Sequence, residues 1–178
     1  MIDHPADLLG ICLNWGCIPT KALLKSAQVY EYLLHAQDYG LKAKEVEVDF
    51  PAIVKRSRGV AEKMSKGVQF LMKKNKIDVI TGTGKVKPGK KVDVTGNDGK
   101  VGTYEAKHII LATGARSREL PNIKQDGKKI IGYREAMVLD KMPKSMVVIG
   151  SGAIGVEFAY FYHSLGTKVT VVEFLPSV

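Results

Sequence analysis

Apolar positions along the chain follow two periods. After a loop at residues 10–19 they recur as Leu23, Ala27, Tyr30 and Leu34, the spacing of one helix face. Pro19 suits the first turn of that helix, where a missing N–H costs nothing, and Gly40 stops it. A second helix is predicted over residues 51–75, with Ile53, Ala61, Met64, Val68 and Leu71 on one face; Gly59 and Gly67 weaken it. From Ile77 the period becomes two. Short strands are expected at 77–81, 91–95 and 101–105, with Asn97-Asp98-Gly99 turning a hairpin between the last two. The apolar run at 108–112 reads as a buried strand, and residues 115–142 as loop with a short helix at 134–139. Residues 145–173 then read as strand, glycine turn, helix and strand, so the expected fold class is α/β with a small β-meander.

Composition narrows the classes. The 178 residues are 45% hydrophobic and 25% charged, which excludes a disordered tail and a disulfide-dense scaffold. No apolar run reaches the roughly 20 residues that span a bilayer, and the opening residues lack the pattern of a signal peptide, so a cytoplasmic protein is expected. The formal charge of +9 invites a nucleic-acid reading. Against it, the lysines are scattered and the 7% of aromatic residues are not interleaved with a basic stripe. Neither a nucleic-acid partner nor a membrane span is expected.

Two segments carry chemistry. Cys12 and Cys17 stand in Cys-Leu-Asn-Trp-Gly-Cys and are the only cysteines. A structural disulfide and a zinc site are the alternatives to a redox dithiol; zinc needs four ligands, and His4 is the only further one nearby. The dithiol is favoured because Cys17 opens a predicted helix whose N-terminus stabilises a thiolate, with Lys21 and Lys25 adding positive charge.

The second segment is Gly150-Ser151-Gly152-Ala153-Ile154-Gly155, between an apolar strand and a helix. Here Gly150 permits the tight turn, Gly152 lets backbone approach a pyrophosphate, and Gly155 lets the helix pack on the strand. Glu173 ends the following strand 18 residues beyond Gly155, where an acid can bond a ribose 2′-hydroxyl, so NAD is expected over NADP.

Residues 10–24, Gly-Ile-Cys-Leu-Asn-Trp-Gly-Cys-Ile-Pro-Thr-Lys-Ala-Leu-Leu, resemble the active-site signature of the pyridine nucleotide–disulfide oxidoreductases. Within that family they are most similar to the branch that oxidises dihydrolipoamide. Residues 109–115 resemble the family's second flavin segment, and residues 148–157 and 169–174 its NAD-binding unit. The resemblance implies FAD passing electrons between the dithiol and NAD, with Cys12 as interchange thiol and Cys17 against the flavin. It also implies a Lys21–Glu157 pair holding a buried charge beside the flavin ring. Further FAD contacts are implied at Thr113, Gly114 and Ala115, at Gly84, and at Asp3, nine residues before Cys12. Ala153 and Ile154 complete the NAD loop. The fold implied is two Rossmann-like dinucleotide-binding units.

The chain departs from the family pattern at its edges. The family's first glycine-rich phosphate loop does not precede Asp3, and Leu9-Gly10 stands where two glycines are usual. The expected organisation is therefore residues 1–142 as an FAD-binding domain without its first strand and phosphate loop, then 143–178 as the first unit of an NAD domain. The interface domain, with its dimer contact and acid/base histidine, is not expected in this chain, and His4, His35, His108 and His163 lie in no such context. The expected activity is oxidation of dihydrolipoamide, carried on the lipoyl domain of a 2-oxo acid dehydrogenase complex, by a homodimer in its intact form; the chain itself is expected to be inactive or impaired. A glutathione or mercuric reductase is the neighbouring reading, which arginines near Glu173 or additional cysteines would favour, and a non-catalytic nucleotide-binding piece is the third.

Overall fold

The computed structural model describes residues 1–3 and 9–176; His4 lies outside them. Strand β1 (Ile2–Asp3) leads to a single turn, α1 (Ile11–Asn14), and then to helix α2 (Cys17–Leu34). Pro19 lies inside the first turn of α2 and is fully buried there. A 3₁₀ turn (Ala36–Tyr39) ends on Gly40, whose φ of 70° needs a residue without a Cβ penalty.

Helix α3 (Phe50–Lys74) runs 25 residues through both Gly59 and Gly67. Its ends explain why it survives them. The Asp49 carboxylate accepts the Ala52 N–H at 2.9 Å, a proline stands in the first turn, and Lys73 and Lys74 face the C-terminal dipole. Its buried side is set by Phe50, Ser57 and Ala61; Met64 and Leu71, expected on the apolar face, are exposed.

The β segments follow the predicted order with one loss and one addition, a strand at Thr83–Lys87 that was not expected. Strand β2 (Ile80–Thr81) is shorter than the expected 77–81, because only two residues find a partner, pairing parallel with β1. Strands β3 (Thr83–Lys87), β4 (Lys91–Thr95) and β5 (Val101–Glu105) form an antiparallel meander, with Thr83 opposite Thr95 and Thr95 opposite Val101. Its second turn carries Gly99 at φ 75°, as the hairpin required. The run at 108–112 is not a strand. No described strand pairs with it, and Ile110 and Leu111 are 91% and 71% exposed. An apolar run becomes a strand only where a neighbour accepts its hydrogen bonds.

Short helix α4 (Tyr133–Met137) precedes a βαβ unit: β6 (Ser145–Ile149), α5 (Ala153–Ser164) and β7 (Lys168–Val172). The two strands are parallel, Ser145 opposite Lys168 through Ile149 opposite Val172. Gly166, at φ 105°, makes the turn after α5.

One core draws on four helices. Leu23 and Ala27 of α2, Phe50 of α3, and Ala136 and Met137 of α4 surround Phe158, Phe161 and Tyr162 of α5. Phe161 and Tyr162 meet edge to face with centroids 5.0 Å apart. The Tyr162 hydroxyl donates to the Ala136 carbonyl, and burial pushes its pKa upward. The cysteine-bearing helix and the helix after the glycine turn thus share one apolar interior.

Candidate functional site

Cys12 and Cys17 form a disulfide, with Cα atoms 4.7 Å apart. Cys12 lies in α1, and Cys17 is the first residue of α2, so the bridge closes the joint between two helices. Both residues are exposed. Gly16 stands against this joint: a Cβ there would lie 3.1 Å from the Cys12 Cα and from the Ile11 carbonyl. Reduction would leave Cys17 where the unpaired N–H groups of α2 favour a negative sulfur.

Lys21, one turn into α2, makes an ion pair with Glu157 of α5. The expected contact is present, but its setting differs from the expected buried one. The Lys21 side chain is 65% exposed and that of Glu157 30%, because among the described residues nothing covers the pair. In that setting such a pair contributes about 0–1 kcal/mol, so it aligns the helices more than it stabilises them. A groove of about 530 Å³ lies alongside, lined by Lys21, Leu24, Val156, Glu157 and Tyr160 among others.

The glycine turn has the geometry its sequence required. Gly150 takes φ 103°, and its N–H donates to the Val172 carbonyl at 2.8 Å, continuing the parallel ladder. A Cβ on Gly155 would stand 2.4 Å from the Gly150 carbonyl oxygen and 3.2 Å from Val148 Cγ1, so only glycine lets α5 approach this closely. A Cβ on Gly152 would meet nothing within 4 Å. Open space therefore lies where backbone N–H groups begin α5, starting with Ala153 and Ile154, and the turn fits a dinucleotide pyrophosphate.

Glu173 is fully engaged. One carboxylate oxygen accepts the Ser151 N–H and hydroxyl, both at 2.7 Å; the other accepts the N–H groups of Phe174 and Leu175 at 2.7 and 2.9 Å. These bonds, chiefly those from Leu175 and Ser151, hold its pKa down to about 2. Four donors occupy roughly the four lone-pair positions of a carboxylate. A ribose hydroxyl bonding there would take the place of one of them, and the Ser151 hydroxyl is the one free to rotate.

The other expected flavin contacts form two groups. Asp3 lies beside Thr81 in the β1–β2 pair and accepts the Leu9 N–H, while a Cβ on Gly84 would be 3.4 Å from Ile2 Cγ2. Asp3 and Gly84 thus both adjoin Ile2, Asp3 along β1 and Gly84 across from it. Gly114, at φ 78°, is reached by Ile11: a Cβ on it would be 3.5 Å from Ile11 Cδ1. The turn of Thr113, Gly114 and Ala115 therefore adjoins the residue before Cys12. Its conformation and its place beside the disulfide fit a flavin segment. Among the described residues, which do not include His4, no cluster of three or more His, Cys, Asp or Glu is placed to hold a metal.

Several partners of the site were not read from sequence. Asn14 Oδ1 accepts the Ser65 hydroxyl at 2.8 Å, and Arg58 and Arg134 lie 4.4 and 5.3 Å from the Trp15 ring centre. Arg58 and Ser65 are seven apart on α3, a spacing that marks one helix face; what that face meets is a tertiary fact.

A disulfide opening a helix, joined through one core to a strand–glycine turn–helix unit, is the arrangement set against known proteins. The chain belongs to the pyridine nucleotide-disulphide oxidoreductase family, whose model matches residues 2–178. Among curated relatives, dihydrolipoyl dehydrogenase of Rhizobium etli is 53% identical, over 95% of this chain and 38% of its own length. The enzyme of that name from Chlorobaculum parvum is 50% identical, over 96% of this chain and 36% of its own. The crystal structure of LpdA from Mycobacterium tuberculosis superposes with a TM-score of 0.88 at 28% identity, covering 99% of this chain and 39% of that one. The chain thus spans between one third and two fifths of the length of these relatives. No described helix is long and apolar enough to cross a membrane.

Proposed function

We propose that the chain carries the dithiol and the opening of the nicotinamide site of a flavin-dependent oxidoreductase that oxidises dihydrolipoamide to lipoamide with NAD⁺. The observation that carries this reading is the Cys12–Cys17 disulfide at the head of α2, packed through α5 onto the Gly150–Gly155 turn. The names of the two curated relatives support the substrate.

Chain residues account for the sulfur chemistry. One substrate thiolate attacks Cys12 Sγ, the Cys12–Cys17 bond breaks, and Cys17 departs as a thiolate stabilised by the α2 N-terminus. The second substrate thiolate then attacks the substrate sulfur of the mixed disulfide. Lipoamide closes its ring, and Cys12 is left as the second thiol after taking up a proton. Thr113, Gly114, Ala115, Gly84, Asp3 and Lys21 would hold FAD, which supplies a two-electron relay from this dithiol to NAD⁺. Gly150, Gly152, Ala153, Ile154 and Gly155 would seat the NAD⁺ pyrophosphate, and Glu157 would fix Lys21. The negative Glu173 disfavours a 2′-phosphate, which selects NAD over NADP.

On this reading residues 1–142 face the flavin and 143–178 begin the NAD unit. The intact enzyme is a cytoplasmic homodimer serving a lipoyl domain. Anaerobic addition of dihydrolipoamide and NAD⁺ to the FAD-supplemented chain tests it. Dihydrolipoamide is expected to bleach the flavin band, with NADH formed more slowly than the bleaching, and with neither in Cys17→Ser. Bleaching or NADH formation that persists in Cys17→Ser would overturn the reading, as would a bound flavin that dihydrolipoamide leaves unbleached.

A further inference from the structure

We propose that helix α3 is a positioning clamp for the redox loop, acting through Arg58 and Ser65 on two consecutive residues between the cysteines, Trp15 and Asn14. The clamp concerns how readily the Cys12–Cys17 bond re-forms, and it rests on the redox reading above.

The loop has little to hold it by itself. Helix α1 is a single turn of four residues, without a side-chain cap and without a buried residue. The residue that caps its C-terminus, Trp15, leaves the helix at φ −135° with its N–H on the Ile11 carbonyl at 2.7 Å. A four-residue helix is not stable alone, because nucleation costs more than one turn returns. The separation of Cys12 from Cys17 once reduced therefore depends on what the intervening residues touch.

They touch α3. The Ser65 hydroxyl donates to Asn14 Oδ1 at 2.8 Å, and the Asn14 amide donates to the Gly10 carbonyl at 3.4 Å, so Asn14 ties both the loop entry and α3. Two turns earlier on the same face of α3, the Arg58 guanidinium lies 4.4 Å from the Trp15 ring centre. Arg134 of α4 lies over the same ring at 5.3 Å and donates to the Tyr133 hydroxyl at 3.2 Å. Arg58 is half-buried and forms no ion pair among the described residues; its other polar contact is to Met137 Sδ at 3.3 Å. A cation partly removed from water with no carboxylate beside it has the indole face as its compensation. Trp15 in turn packs against the central core. The register of α3 is thereby transmitted to the span between the sulfurs.

The test is the thiol–disulfide equilibrium of the full chain with glutathione, in which the Cys12–Cys17 bond and two glutathione thiols exchange for two protein thiols and one oxidised glutathione. Trp15 is the only tryptophan, so its fluorescence beside the disulfide reports the redox state, with thiol labelling as the second readout. Arg58→Met and Ser65→Ala should each lower the effective concentration of the two thiols by about threefold to tenfold, the worth of one such contact. The double variant should lose more than either, and Trp15→Phe, which keeps a ring under the guanidinium, should lose less than Trp15→Ala. Loss of melting temperature with an unchanged glutathione equilibrium would reduce these residues to ordinary packing and overturn the clamp. A wild-type disulfide that does not exchange with glutathione at all would overturn the functional reading, and the clamp with it.

Discussion

At the scale of single residues, Glu173 is held by four donors at the end of the β6–α5–β7 unit. Its position at the end of β7 was legible, because the acid stands a fixed distance beyond the glycine turn. Its partners were not, since the bonds from Ser151 cross 22 residues of sequence. They give the carboxylate a folded pKa of about 2 against an ordinary 4.5. A depressed carboxylate pKa stabilises the fold above the unfolded value and loses that contribution as pH falls through the folded one. The stability due to Glu173 should therefore be complete above pH 4.5 and fade between 4.5 and about 2. Ser151→Ala removes the hydroxyl bond, so the Glu173 carboxyl, followed by carbon-detected NMR titration, should titrate at a higher pH than in the parent chain. An unmoved titration would mean that the hydroxyl bond has no part in holding the charge.

At the scale of elements, local rules did well where a segment carries its own partners. The hairpin of β4 and β5 and the unit of β6, α5 and β7 formed where periodicity and glycine placement put them. The run at 108–112 failed because a strand is a property of two segments, and an apolar sequence reads alike with or without its neighbour. Within the glycine turn, the three glycines are not equivalent, and substitution should separate them. Gly155→Ala drives a methyl against the Gly150 carbonyl at 2.4 Å and should cost about 1–3 kcal/mol, read as a lower melting temperature. Gly152→Ala places its methyl in open space and should leave the melting temperature nearly unchanged while weakening NAD⁺ binding. Equal melting losses for both would contradict the packing assigned to Gly155.

At the scale of the whole molecule, the disulfide and the glycine turn are joined by one interior, in which Leu23 and Ala27 of α2 meet Phe161 and Tyr162 of α5. The motifs themselves were legible because each is a short run whose residues act together. The Lys21–Glu157 pair followed only from the family resemblance, since nothing local ties residues 136 apart. The contacts of Trp15 with Arg58 and Arg134 had no sequence signal, because a guanidinium on a helix face reads as a solvated charge. The central claim is that this disulfide is a working redox centre for a dithiol substrate. It is tested most directly by equilibrating the chain with dihydrolipoamide and lipoamide at set ratios and counting labelled thiols at Cys12 and Cys17 by mass spectrometry. Two labels appearing together, in one two-electron transition as the dihydrolipoamide fraction rises, is the predicted result; a disulfide that stays unlabelled across the whole range would contradict it.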